Sequence, residues 1–230
     1  MKKVFPIFAV LTAGLLSYAL YQALVAAPTE QTMGDVQRIF YYHVPSAWTA
    51  FLLFSINFVA SVWYLIRRNT AADIVALVTA EVGVVFCTVV LVTGPLWARP
   101  VWGIWWTWDI RLTSTLVLWL IYVSYLLLRR FSTSGQTPVL AAALAVFGAL
   151  DVPLVYFSIW FFRTQHPQPV IGGGGSIDPR MLHVLLINWL AFLCFAFLVC
   201  WSRYRLERLQ RDVEETQALE ALLDPRSSVR

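Results

Sequence analysis

Long apolar runs alternate with short polar connections along the chain. Six runs stand out: Val4 to Ala27, Ala47 to Ile66, Ile74 to Leu96, Ser114 to Leu128, Val139 to Phe162 and Met181 to Trp201. At about 1.5 Å of rise per helical residue, such runs are long enough to cross a hydrocarbon layer of about 30 Å. The pattern predicts an all-α polytopic membrane protein with six transmembrane helices within residues 1–203, followed by a charged tail, residues 204–230. The first run begins after Met1-Lys2-Lys3 and ends near Ala26 and Ala27, as a cleaved signal would. Its apolar stretch is too long for a signal core, so it is expected to be a span. The tail sets Glu207 against Arg211 and Arg208 against Asp212 at i,i+4 spacing, beside a narrow stripe of Leu206, Leu209 and Val213. That describes a solvated helix or a docking surface for a cytoplasmic subunit.

With 59% hydrophobic and 13% charged residues, the chain lies far from a soluble average. Its basic residues are distributed unevenly. Lys2, Lys3, Arg67, Arg68, Arg129, Arg130, Arg203, Arg205, Arg208, Arg211, Arg226 and Arg230 fall on one side, and Arg38, Arg99, Arg111, Arg163 and Arg180 on the other. The excess puts both termini in the cytoplasm. The formal charge of +4 therefore reflects topology, and nothing suggests nucleic acid as a partner. The connections Pro28 to Ser46, Trp97 to Thr113 and Arg163 to Arg180 then face outward, and chemistry is expected there.

The second of these holds five of the eleven tryptophans, Trp97, Trp102, Trp105, Trp106 and Trp108. Wound as a helix at about 100° per residue, Trp102, Trp105, Trp106 and Trp108 share one face, with Asp109 in its middle and Arg111 pointing away. An aromatic belt at a membrane surface is one reading. The density of rings, the carboxylate among them and the adjacent Gly103 favour a slab for a large flat ligand.

Only three histidines occur. His43, with Pro45 expected in the first turn of the second helix, and His166 bracket the tryptophan stretch, while His183 lies near the start of the sixth helix. Paired axial imidazoles from two separate loops are a standard way to hold haem iron. Cys87, Cys194 and Cys200 all fall inside apolar runs and form no Cys-x-x-Cys pair, which leaves structural zinc and iron–sulfur clusters without ligands. Nucleotide-binding, nucleophile-elbow and zinc-protease motifs are absent, so no hydrolytic nucleophile can be named. Glu81 and Asp151 are acids within spans, Asp151 about 18 Å into its segment, and a polytopic permease using them is a competing reading. A membrane haem oxidoreductase is another, although no second cofactor site is evident.

The string Trp102-Gly-Ile-Trp-Trp-Thr-Trp-Asp-Ile-Arg-Leu-Thr-Ser114, preceded by Leu91-Val-Thr-Gly-Pro95, resembles the tryptophan-rich WWD signature of the haem-handling proteins of cytochrome c biogenesis. The Tyr41-Tyr-His43-Val-Pro45 run and Ser176-Ile-Asp-Pro179 are similar to the cytochrome c maturation protein C, or haem exporter protein C, family. That resemblance covers nearly the whole chain. It implies a bacterial inner-membrane protein that binds haem b non-covalently at its periplasmic face and loads it onto a periplasmic haem chaperone, protein E. It also implies association with the ABC complex of proteins A and B and with the small membrane protein D. The implied iron ligands are His43 and His166. The implied haem-binding set adds Trp102, Trp105, Trp106, Trp108 and Asp109, with Arg99 or Arg111 available for propionates. Covalent attachment of haem to the chaperone is implied as well, yet the sequence names no general acid or base. Asp151 stands where a neutral residue such as Asn is expected, and the glycines Gly172 to Gly175 lie outside the family pattern.

Overall fold

A computed structural model describes residues 3–169 and 177–223, in which the only regular elements are helices. These are α1 (Val4–Tyr21), α2 (Phe40–Arg67), α3 (Thr70–Trp102), α4 (Ile110–Phe131), α5 (Thr137–Ala149), α6 (Asp151–Phe161) and α7 (Pro179–Leu223). Alpha1 continues into a π turn at Gln22–Ala26, and α5 and α6 share one span, so six stretches are long and apolar enough to cross a membrane. The chain is a multi-pass membrane protein. The Gly172 to Gly175 run lies outside the described residues.

Several helices are longer than their apolar runs. Alpha2 begins at Phe40, so His43 is helical rather than in a loop, and Pro45 lies inside the helix beyond its first turn. Alpha3 passes through Pro95 and Pro100 to end at Trp102. The fifth span divides at Leu150, for which Pro153 supplies the reason: it has no N–H for the Ala149 carbonyl, and its ring crowds that oxygen. Alpha7 runs unbroken through position 204, so body and tail differ in composition but not in backbone path.

Packing follows the rule for helices in lipid, where small residues permit close backbone approach. Alpha2 buries Ser46, Ala50, Phe54, Asn57 and Ala60 at three- and four-residue spacing, and α3 buries Ala76, Ala80, Gly83 and Cys87. Phe54 stacks on Tyr122 of α4, with ring centres 3.9 Å apart and planes 11° from parallel. A Cβ at Gly83 would lie 2.7 Å from Phe54 Cε1, closer than atoms can stand. Gly83→Val is therefore expected to lower stability by about 1–3 kcal/mol through overpacking. Thermal unfolding in detergent checks this, and an unchanged midpoint would contradict the packing described.

One end of the bundle is tied by ions. Asp73 of α3, almost fully buried, accepts two hydrogen bonds from Arg129 of α4, at 2.6 and 2.8 Å, and pairs with Arg211 of α7 at 2.9 Å. Glu81 accepts two bonds from Arg203 of α7, both 2.8 Å. The cytoplasmic-type end predicted from arginine counts is thus also where α3, α4 and α7 are fastened together. The opposite end carries residues 27–39, 103–109, 162–169 and 177–178, and there the candidate site lies.

Candidate functional site

The tryptophan stretch is not one helix. Alpha3 stops where Gly103 adopts φ +79°, a left-handed conformation that glycine takes without strain, and the Gly103 N–H bonds the Arg99 carbonyl. Arg99 donates to the Gly103 carbonyl, closing the same turn. The chain then runs without regular structure to Asp109, whose carboxylate accepts the Leu112 N–H at 3.0 Å and so caps α4. The expected single aromatic face is divided accordingly. Trp97 and Trp102 meet edge to face on the last turns of α3, with centres 5.2 Å apart, and Trp106 and Trp108 do so beyond the break, at 5.8 Å. Trp105 and Trp108 remain 57% and 77% exposed.

Asp109 does more than cap. Its other oxygen accepts the Thr164 hydroxyl at 2.9 Å, the Gln165 N–H at 3.3 Å and the Thr107 hydroxyl at 3.3 Å. One carboxylate therefore ties the tryptophan connection to the loop that carries His166. The Thr164 hydroxyl in turn accepts the His166 N–H at 3.1 Å. The sequence placed Asp109 among ligand contacts. Both of its oxygens accept bonds from the protein's own donors.

His43 and His166, 123 positions apart in the chain, come together with ring centres 6.4 Å apart and planes 31° apart. An imidazole nitrogen bonds a first-row metal at about 2.0–2.1 Å, which puts the centres of two rings on one ion on the order of 6 Å apart. His166 Nδ1 lies 2.9 Å from the Pro167 carbonyl, which can only accept. Nδ1 must therefore carry the proton, and Nε2 presents a lone pair. His43 Nδ1 is likewise engaged, 2.9 Å from the Thr93 hydroxyl. His183 is exposed on α7 and does not join the pair.

Arg111 lies near the rings and has no carboxylate partner among the described residues. Its guanidinium donates to main-chain carbonyls of α6, Val155 at 3.2 Å and Tyr156 at 3.5 Å. That leaves donors for an added anionic group. Burial pushes the His166 ring down to about 4, and the Arg111 charge acts in the same direction, while the Pro167 carbonyl and Asp109 oppose it. A histidine with a lowered value is neutral at pH 7 and protonates only as the pH falls toward about 4, below the ordinary range near 6.5. In the ligand-free protein His166 is thus expected to stay neutral at pH 5.5 and to protonate only near pH 4. A ring-nitrogen NMR titration, assigned with His166→Gln, follows it, and a midpoint near 6.5 would contradict the burial argument.

The two acids of the permease reading are differently placed. Glu81 is held by Arg203, as described. Asp151 is buried, and its Oδ2 has no partner among the described residues. Asp151→Asn, which keeps the shape, is expected to leave haem content unchanged in the purified protein. Loss of haem in that variant would bring Asp151 into the site. Among the described residues no cluster of three or more His, Cys, Asp or Glu side chains stands ready for a bare metal ion. A donor set of two facing-distance imidazoles, open indoles and one unpaired guanidinium instead fits a metalloporphyrin with acidic substituents.

Fold and site together define a six-span membrane protein with a paired-histidine centre beside a tryptophan-rich connection. The family model described as heme exporter protein C matches residues 1–219. The chain is 35% identical to the heme exporter protein C of Bradyrhizobium diazoefficiens over 222 residues, covering 95% of this chain and 84% of that one. It is 32% identical to the heme exporter protein C of Haemophilus influenzae over 215 residues, 92% and 87% of the two chains. A cytochrome c biosynthesis ccmC-like mitochondrial protein of Arabidopsis thaliana is 32% identical over 218 residues, 93% and 83%. The chain belongs to the heme exporter protein C family.

Proposed function

We propose that this protein receives haem at the periplasmic face of the bacterial inner membrane, holds its iron between His43 and His166, and passes it to the periplasmic haem chaperone, protein E. Family membership gives the coarser role: haem handling in cytochrome c maturation. Haem is the cargo, and the observation that carries the finer reading is the 6.4 Å pair of imidazoles with both Nδ1 atoms engaged. Bis-histidine ligation leaves the iron coordinatively satisfied in transit. Arg111, short of a carboxylate partner, suits a propionate, and Trp105 and Trp108 expose apolar rings on which a porphyrin face can stack. Partners of the expected kind are the ABC proteins A and B and the small protein D. Both termini then lie in the cytoplasm, as the arginine distribution supports.

The test is transfer. Haem-loaded protein in lipid nanodiscs, mixed with purified haem-free chaperone, is expected to lose haem to it, and the His43→Ala variant to deliver far less. Equal haem on the chaperone from both proteins, or none from the wild type with proteins A, B and D present, would overturn this reading.

A further inference from the structure

Thr93 of α3 stands with its Oγ1 2.9 Å from His43 Nδ1 and, at the same time, 2.6 Å from the Val89 carbonyl four residues back, with the Val90 carbonyl at 3.4 Å. A hydroxyl has one hydrogen to give, and carbonyls can only accept it. The carbonyl contact is the shorter, and giving the hydrogen to Val89 leaves the hydroxyl offering His43 a lone pair. That bond forms only when Nδ1 carries the ring proton, which leaves Nε2 of the neutral ring bare.

The same helix contains an internal precedent. Thr88 donates to the Val84 carbonyl at 2.7 Å and lies 2.8 Å from Trp119 Nε1. An indole nitrogen can only donate, so Thr88 must accept from it while donating back along the helix. Thr93 and His43 are placed for the same arrangement five residues further along α3. A Cβ added at Gly94, next in sequence, would stand 3.5 Å from His43 Cε1, in ordinary contact. The ring is held at Nδ1.

We propose that Thr93 is a positioning residue that fixes the tautomer of His43, so that Nε2 is the nitrogen presented to the iron. The inference rests on the reading of His43 as a haem ligand. An accepting partner on the far nitrogen also raises the basicity of a metal-bound imidazole, and partners of this kind typically contribute about 10- to 100-fold in metal affinity.

The experiment has one arm without haem and one with it. In haem-free protein labelled with ¹⁵N-histidine, ring-nitrogen NMR, assigned with His43→Gln, is expected to show His43 protonated at Nδ1 and bare at Nε2. Thr93→Val, which keeps the shape but not the acceptor, is expected to shift the ring toward the other tautomer, and Thr93→Ser to restore it. In haem titrations Thr93→Val is expected to weaken binding by about 10- to 100-fold and to raise the reduction potential of the bound haem, with Thr93→Ser close to wild type. An unchanged ¹⁵N pattern in Thr93→Val overturns the proposal. A tautomer that follows Thr93 while haem affinity ignores both Thr93→Val and His43→Ala overturns the ligand assignment of His43 instead.

Discussion

Asp109→Asn is expected to release His166 while leaving α4 capped. Asparagine keeps an oxygen for the Leu112 N–H, so the helix start survives. Its amide nitrogen, however, faces the Thr164 hydroxyl and Gln165 N–H, where the carboxylate accepted at 2.9 and 3.3 Å. The Gln165 N–H, which can only donate, then confronts a second donor. The loop bearing His166 loses its tie to the tryptophan connection, and haem affinity is expected to fall by about 10- to 100-fold, as for other groups that orient a metal ligand. The spectrum should pass from six-coordinate low-spin toward five-coordinate, and added imidazole should restore it. A variant that keeps the low-spin spectrum would show that Asp109 does not position His166.

The second large effect is expected from the exposed rings. A tryptophan side chain carries about 150–250 Å² of surface, and more than half of it is open on both Trp105 and Trp108. Covering that much with a porphyrin at about 25 cal/mol per Å² contributes about 2–3 kcal/mol per ring. Trp105→Ala with Trp108→Ala is therefore expected to weaken haem binding by two orders of magnitude or more, with helix content intact by circular dichroism. Since Trp106 packs edge to face against Trp108, part of the loss would reflect its reorientation. Wild-type affinity in the double variant would remove these rings from the site.

The spans were legible because apolar length alone identifies a transmembrane helix, and every predicted run coincides with a helical span, two of them, Val4 to Ala27 and Val139 to Phe162, overrunning it by one residue. Their ends were harder. Tyr41, Tyr42 and His43 look like interface residues, yet they are the opening turns of α2, since a helix may extend beyond the hydrocarbon it crosses. Gly103 and Asp109 are ordinary stop and start signals for helices. Reading the tryptophans between them as a helical face gave ring spacing precedence over those signals, and the chain obeys the signals. The division at Leu150 was readable in the same way from Pro153.

For the site, residue types were informative and distances were not. Two histidines flanking an aromatic connection suggested a shared ligand. Only the folded chain brings positions 43 and 166 to 6.4 Å, through contacts of α2 with α3 and of Asp109 with the His166 loop. Thr93 carried no signal of its own, because a threonine in a membrane helix ordinarily bonds its own backbone, and Thr164 and Gln165 are common loop residues. Thr93 lies in the Leu91-Val-Thr-Gly-Pro95 string that carried part of the family resemblance, which was its one visible mark.

In the function proposed for this protein, one haem iron lies between His43 and His166. Optical spectra and haem quantitation of the purified protein, wild type beside His43→Ala and His166→Ala, test it most directly. The wild type is expected to hold one haem per chain with a six-coordinate low-spin spectrum, perturbed by each substitution alone. A wild type that takes up no haem when haem is supplied, or a spectrum that changes only in His183→Ala, would contradict it.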